Sequence, residues 1–264
     1  MNPFFEYERT PVFTEINGSK LQLPKEVIVN TESLHPVGVV SKNYELIPNI
    51  ELANIFEDAF QKYEVSNTWD YIQRGGEAWV RRIIFNDDRL TMEVKNDDTI
   101  KVGLEIFNSY SGKSSYGARL FGMREICDNG VVWGRENLIS FKFTHMSNNL
   151  DVIKKTFEIT ASDVTESVLP IWKEWAKTKF TIKDMENFLE TRDYITSEKN
   201  KEKILVKYEE IMNREFHEET KWAAFNTLTY ISTHETKATR KDTSHIFSNA
   251  YRKYERLASD FYTI

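Results

Sequence analysis

Ile100-Lys101-Val102-Gly103-Leu104-Glu105-Ile106-Phe107-Asn108, the turn Ser111-Gly112-Lys113, and Tyr116-Gly117-Ala118-Arg119-Leu120-Phe121-Gly122-Met123-Arg124-Glu125-Ile126-Cys127 decide the fold. Two apolar-rich runs flank a short polar break, which is the pattern of an antiparallel pair. The same pattern extends in both directions. Upstream, Asn67–Gln73 ends at Gly75-Gly76, Ala78–Phe85 ends at Asn86-Asp87-Asp88, and Leu90–Val94 ends at Asn96-Asp97-Asp98. Downstream, Asp128-Asn129-Gly130 is the strongest hairpin signal, and Val131–Thr144 follows it. Short strands with turn chemistry at this spacing predict a meander-like antiparallel sheet.

Residues 48–63 break the period of two. Leu52, Ile55, Phe56, Ala59, Phe60 and Tyr63 recur at helical spacing, with Asn49 placed to cap the first turn. This helix is expected to lie across the sheet as the second layer. From 148 onward the chain reads as helical. Pro170 divides one long stretch, and further helices are expected at 181–189, 197–214, 217–233 and about 242–261. Four of the six prolines fall in the first 40 residues, which therefore read as an extended arm with short strands. The expected fold class is α+β. It comprises an arm over 1–40, a sheet domain over 41–147, and a helical region over 148–264 packed on the sheet domain.

Composition sets outer limits. With 264 residues, 13 % aromatics and only 10 Gly and 6 Pro, the chain can bury a proper core and is not a disordered type. Net charge is −6, which excludes a histone-like polycation but not a local basic groove. The single cysteine, Cys127, excludes an intrachain disulfide and fits a reducing compartment. The N-terminus has no signal-peptide pattern and no run of 18 apolar residues occurs. The default is a cytoplasmic protein without a membrane partner.

Two familiar sites fail. Gly112-Lys113-Ser114 lacks the earlier glycine of a phosphate loop, because Phe107 stands there. His35, His145, His217, His234 and His245 show no metal-ligand spacing, so neither a metal nor another cofactor is expected. Three features survive. The turn Asn108–Ser115 is dense in hydroxyls and amides that suit phosphate or sugar, with Tyr110 able to stack on a base. Residues 112–142 hold five basic and three acidic side chains, including Lys113, Arg119, Arg124 and Arg135. The segment Trp222–His234 aligns Asn226 and His234 two helical turns apart. The blander readings are an ordinary turn, a half-exposed sheet surface and a core helix.

Three segments resemble the prokaryotic phage/plasmid-like protein family, domain of unknown function 932. Val37-Gly38-Val39-Val40-Ser41-Lys42-Asn43-Tyr44 looks like its Val-Gly-x-Val-Ser-x-x-Tyr segment entering a helix. Asn108–Ser114 with Arg124–Gly130 is similar to its Asn-Ser-His-Asp-Gly-Ser hairpin and Arg-x-x-Cys-x-Asn strand end. Ala223, Asn226, Thr229 and His234 match its Ala-x-x-Asn-x-x-Thr-x-x-x-x-His signature, and a stretch of net charge +4 over 237–256 follows. Tyr110 and Ser111 stand where the family often has His and Asp. The resemblance implies a mobile-element context, and the layout is similar at fold level to Rad-type single-strand annealing proteins.

The leading expectation is a homo-oligomeric protein that binds single-stranded DNA and supports annealing or recombination in a prokaryotic host. Lys113, Arg119, Arg124 and Arg135 would hold phosphate and Tyr110 would stack. The second is an enzyme on a nucleic acid or nucleotide, with Asn108, Ser109, Asn129, Asn226 and His234 as its site and His234 as acid or base. The third is a non-catalytic interaction protein, such as an inhibitor of host defence, whose sign would be exposed apolar surface. Its docking element would be the arm, with Phe4, Phe5, Tyr7 and Phe13.

Overall fold

The computed structural model describes residues 2–95, 98–124, 129–132, 140–146, 150–163, 166, 168–193, 197–231, 256–257 and 260–264. The class is α+β, as the sequence predicts. Strands β1 (Tyr7–Ile16), β2 (Ser19–Asn30) and β3 (Pro36–Ser41) form one antiparallel sheet. Helix α1 (Asn49–Phe60) follows. Then come β4 (Val65–Gln73), β5 (Ala78–Phe85), β6 (Thr91–Lys95), β7 (Asp98–Ser109), β8 (Tyr116–Arg124), β9 (Asn129–Val132) and β10 (Ser140–Phe143). They form a second sheet of order β10-β8-β7-β5-β4, with β6 on β7 and β9 on β8. The helices are α2 (Leu150–Asp163), α3 (Leu169–Trp175), α4 (Ile182–Glu190), α5 (Glu198–Ile211) and α6 (Lys221–Tyr230).

The chain divides into two compact units, each built from separate stretches. Unit 1 takes residues 1–83, 104–119 and 140–159. Unit 2 takes 84–103, 120–139 and 160–264.

In unit 1 the arm is more regular than its prolines suggest. Its first two strands have ten and twelve residues. Pro24 falls in the stretch between Gln22 and Glu26 where the β1–β2 register shifts next to Pro11, and Pro36 opens β3. Proline is tolerated at such places because no ladder amide is needed there. Burial grades along the hairpin. Ile28 and Asn30 are buried, whereas from Phe13 to Gln22 no residue is. Phe5, Ile28, Val37, Val40, Tyr44 and Tyr110 close a core against the inner end of this sheet. Of the predicted stripe, helix α1 buries Leu52, Phe56 and Phe60, with Ala53 beside them, while Ile55, Ala59 and Tyr63 are only half-buried. The expected cap is corrected. Pro48 occupies the cap position and Asn49 is the first helical residue, its side chain spent elsewhere.

Unit 2 is an aromatic core. Trp172 packs on Trp222 at 5.2 Å, Trp175 on Phe225 at 5.2 Å, and Phe261 meets Phe180 and Phe188. Pro170 falls in the first turn of α3, so a helix starts where the sequence places a division. Thr181 and Asp184 form a reciprocal capping box at α4. Helix α6 is buried from Trp222 to Thr229, so that stretch has no solvent-facing side, and its polar Asn226, Thr227 and Thr229 bond within the helix. Gly103 lets the Phe121 ring lie where a Cβ would come within 2.3 Å of it.

Candidate functional site

The first motif stretch and the Asn108–Ser114 turn of the second meet in unit 1. Gly38 of β3 passes so close to the turn after β7 that a Cβ would lie 2.2 Å from the Tyr110 carbonyl oxygen and 2.7 Å from the Ser111 Cα. Only glycine permits that approach. Around the contact lies a buried polar network. The Tyr44 hydroxyl donates to the Ser109 carbonyl at 2.6 Å. The Asn49 amide N–H donates to the Tyr110 hydroxyl at 2.8 Å. The Asn108 side-chain amide donates to the Ile47 carbonyl and to Asn49 Oδ1, both at 2.8 Å, and its Oδ1 accepts the Ser109 N–H. Ser109 Oγ donates to the Glu77 carbonyl and lies 2.9 Å from Ser111 Oγ. Glu77 thereby serves the turn twice, since its carboxylate also pairs with Lys113 at 2.9 Å.

One side of the network is closed by His145. Its ring stacks on Tyr44 at 4.4 Å and lies 4.8 Å from Tyr116. Glu45 and His145 bond both ways. The Glu45 N–H donates to the His145 carbonyl at 2.6 Å, and His145 Nδ1 donates to the Glu45 carbonyl at 2.9 Å. The proton is thus placed on Nδ1, and Nε2 is a buried lone pair without a hydrogen-bond partner among the described residues. Burial lowers the His145 pKa, outweighing the bond to Glu45. Burial likewise raises Tyr44 and Tyr110 well above the usual phenol range. All three groups are neutral near pH 7.

The expected phosphate and stacking residues fare differently. Tyr110 is 2 % exposed, with Phe5 and Tyr7 against its ring, so it offers no face to a base. Arg119 is 4 % exposed and binds Glu105 at 2.5 Å, so it is a structural cation and not a surface one. Glu105 also takes Arg82. Burial pushes the Glu105 carboxyl up, but Arg119 and Arg82 overcome this and hold it at about 2. Lys113 alone of the described candidates is an exposed cation, its side chain 69 % accessible. Arg124 ends β8 opposite Asn129, which opens β9. The side chains of both, and all of Arg135 and His234, lie outside the described residues.

Of the catalytic candidates, Asn108 and Ser109 stand in unit 1 and Asn226 in unit 2. Asn226 is 1 % exposed, donates to the Trp222 carbonyl at 2.8 Å, and keeps a buried Oδ1 without a partner among the described residues. No group of three His, Cys, Asp or Glu that could hold a metal occurs among the described residues. No helix among them is long and apolar enough to cross a membrane.

The family model described as "Domain of unknown function (DUF932)" matches residues 36–257. The chain belongs to the DUF932 family. No curated protein and no solved structure matches it. Within this DUF932 chain the matched region begins at β3, the strand whose glycine meets the polar turn. Sequence reasoning missed Asn49 and Glu77 as members of the network and Glu105 as the carboxylate that Arg82 and Arg119 share. The signal for Glu105 was an acid at the centre of Leu104-Glu105-Ile106, inside an apolar run.

Proposed function

We propose that this DUF932 chain is a non-catalytic, self-assembling protein of a phage or plasmid that binds single-stranded DNA and supports strand annealing. The observation that carries the reading is the closure of the polar turn. Asn108, Ser109, Tyr110 and Ser111 spend their polar groups on the fold, and Tyr44, Tyr110 and His145 are buried and neutral. These are the residues best suited to chemistry, and they hold β3 against the turn. What unit 1 leaves exposed suits binding. The hairpin end carries Phe13, Ile16 and Leu21 in solvent, and Lys113 stands at the tip of the turn. An exposed apolar hairpin supports docking on a neighbouring subunit, and many copies align weak phosphate contacts along one strand. The DNA partner rests on the expected fold-level likeness to Rad-type annealing proteins and on the basic side chains, with Lys113, Arg124 and Arg135 as its contacts; Tyr110 and Arg119 drop out of that set.

The test is fluorescence anisotropy with a labelled single strand of about 40 nucleotides, at low and high salt, with sizing of the complex. Binding that falls steeply with salt and yields a multimer supports the reading. No binding at micromolar protein overturns its DNA half. A strictly monomeric chain overturns its assembly half.

A further inference from the structure

The last of the three stretches that build unit 1, residues 140–159, meets the first at His145. Among the described residues its only strand is β10, four residues long, which lays Ser140–Phe143 along Tyr116–Arg119 of β8. So short a ladder holds weakly by itself, and side-chain contacts decide whether it stays down. Farther along, Leu150 and Ile153 are buried and anchor the start of α2. His145 stands between the ladder and that anchor.

His145 is 4 % exposed and packs on the rings of Tyr44 and Tyr116. Its carbonyl and its Nδ1 are both bonded to the backbone of Glu45, while Nε2 has no hydrogen-bond partner among the described residues. A neutral ring leaves only a lone pair unused there. A proton on Nε2 would create a buried donor with no acceptor and a buried charge with no counter-ion, which is costly. The charged and titratable groups on the surrounding elements do not offset it. The Tyr44 hydroxyl is spent on the Ser109 carbonyl, and Glu45 offers its backbone. Arg9, bonded to the Tyr44 carbonyl at 3.1 Å and paired with Glu26, and Lys142 of β10 carry the same sign as an imidazolium. Burial accordingly lowers the His145 pKa from its ordinary 6.5, with the Glu45 bond opposing. Outside this site the same ring takes up a proton in the usual range, so acid favours the state in which His145 has left it.

We infer that Ser140–His145 is a pH-sensitive strap, held on unit 1 by neutral His145 and released when that imidazole is protonated. Release bares the Tyr116–Arg119 edge of β8, whose backbone groups are then open to pairing with another strand. The strap is fully closed above pH 6.5. Its opening constant rises as pH falls, by up to about ten-fold per pH unit, until the buried ring itself titrates. This holds whatever the chain binds.

Hydrogen exchange on the full chain tests the strap, with each amide rate divided by its intrinsic rate, at about pH 7.5 and about pH 5.5 and with and without about 1 M urea. The reporters are the Glu45 amide, which donates to the His145 carbonyl at 2.6 Å, and the amides of β10; Phe56 in α1 is the reference. The reporters should exchange roughly five- to ten-fold faster at the lower pH, without sensitivity to urea, and faster than Phe56 throughout. In His145→Gln the acceleration should vanish. Reporters that exchange equally at both pH values overturn the strap, as does an acceleration that survives in His145→Gln. Reporters that follow Phe56 in rate and in urea dependence also overturn it, because the segment then opens only with the whole unit. Nitrogen-15 spectra of the unmodified chain keep the test open should the variant not fold. They should show His145 as the neutral Nδ1–H form at about pH 7.5, protonating in step with reporter exchange; a ring that titrates at or above 6.5 overturns the inference.

Discussion

Replacing Gly38 by alanine tests whether the contact between β3 and the polar turn holds unit 1 together. The added Cβ would lie 2.2 Å from the Tyr110 carbonyl oxygen, 2.9 Å from its carbon and 2.7 Å from the Ser111 Cα. All three are backbone atoms, so no rotamer change relieves the clash. An ordinary contact requires the two segments to part by about 1 Å. Forced overpacking of this kind costs about 1–3 kcal/mol. The same separation stretches the 2.6 Å bond from Tyr44 to Ser109. A lost hydrogen bond of that kind adds about 1 kcal/mol. The expected loss is therefore about 2–4 kcal/mol. The assay is urea unfolding, read as a fall in midpoint at constant slope. Val39→Ala, the adjacent position at 52 % exposure, is the comparison and should stay within about 0.5 kcal/mol. If Gly38→Ala matched Val39→Ala, the close approach would carry no stability and the reasoning would fail.

Four more outcomes are expected. Glu105→Gln leaves buried Arg119 and half-buried Arg82 without their carboxylate and should cost about 3–5 kcal/mol in the same urea unfolding; a loss under 1 kcal/mol (roughly the scale of an exposed pair) would contradict the burial of Glu105 and Arg119. The Glu105 pKa lies below its ordinary 4.5, at about 2, so its contribution of about 3 kcal/mol is present above pH 4.5 and lost as pH falls through about 2. An acid titration of stability should therefore flatten in that window in Glu105→Gln. His145 also has a lowered pKa, but as a base: its neutral form belongs to the fold, so stability is full above pH 6.5 and declines as pH falls below it. His145→Gln should remove that decline, and an unchanged profile would refute it. Thr181→Ala breaks the capping box of α4 and should cost about 1 kcal/mol, measured by thermal melting.

The sequence made some of this legible and hid the rest for physical reasons. Helix α1 and the strands around the Ser111-Gly112-Lys113 turn are local patterns, readable from periodicity and turn residues. The arm was harder. Pro11 and Pro24 read as breaks, yet they stand where the β1–β2 register shifts, which only the paired strand reveals. The candidate site was misread because its partners are remote. Asn108 and Tyr110 find theirs at Ile47 and Asn49, about 60 residues earlier in the chain, so a turn rich in hydroxyls and amides looked available when it was already satisfied. Arg119 misled in the same way, since its carboxylate comes from the neighbouring strand, 14 residues away.

The interleaving of the two units bears on how the protein is made. Unit 1 needs residues 1–83, 104–119 and 140–159, and the Glu45–His145 pairing joins its first stretch to its last across 100 residues. A ribosome delivers most of that unit early, yet the unit stays open until the third stretch has emerged. By then the first two stretches of unit 2 have also been synthesised. Vectorial synthesis therefore cannot finish one unit before starting the other. During that interval the apolar end of the hairpin, with Phe13, Ile16 and Leu21, is exposed on a half-built chain, where nascent chains crowded on one message meet it before the unit has closed.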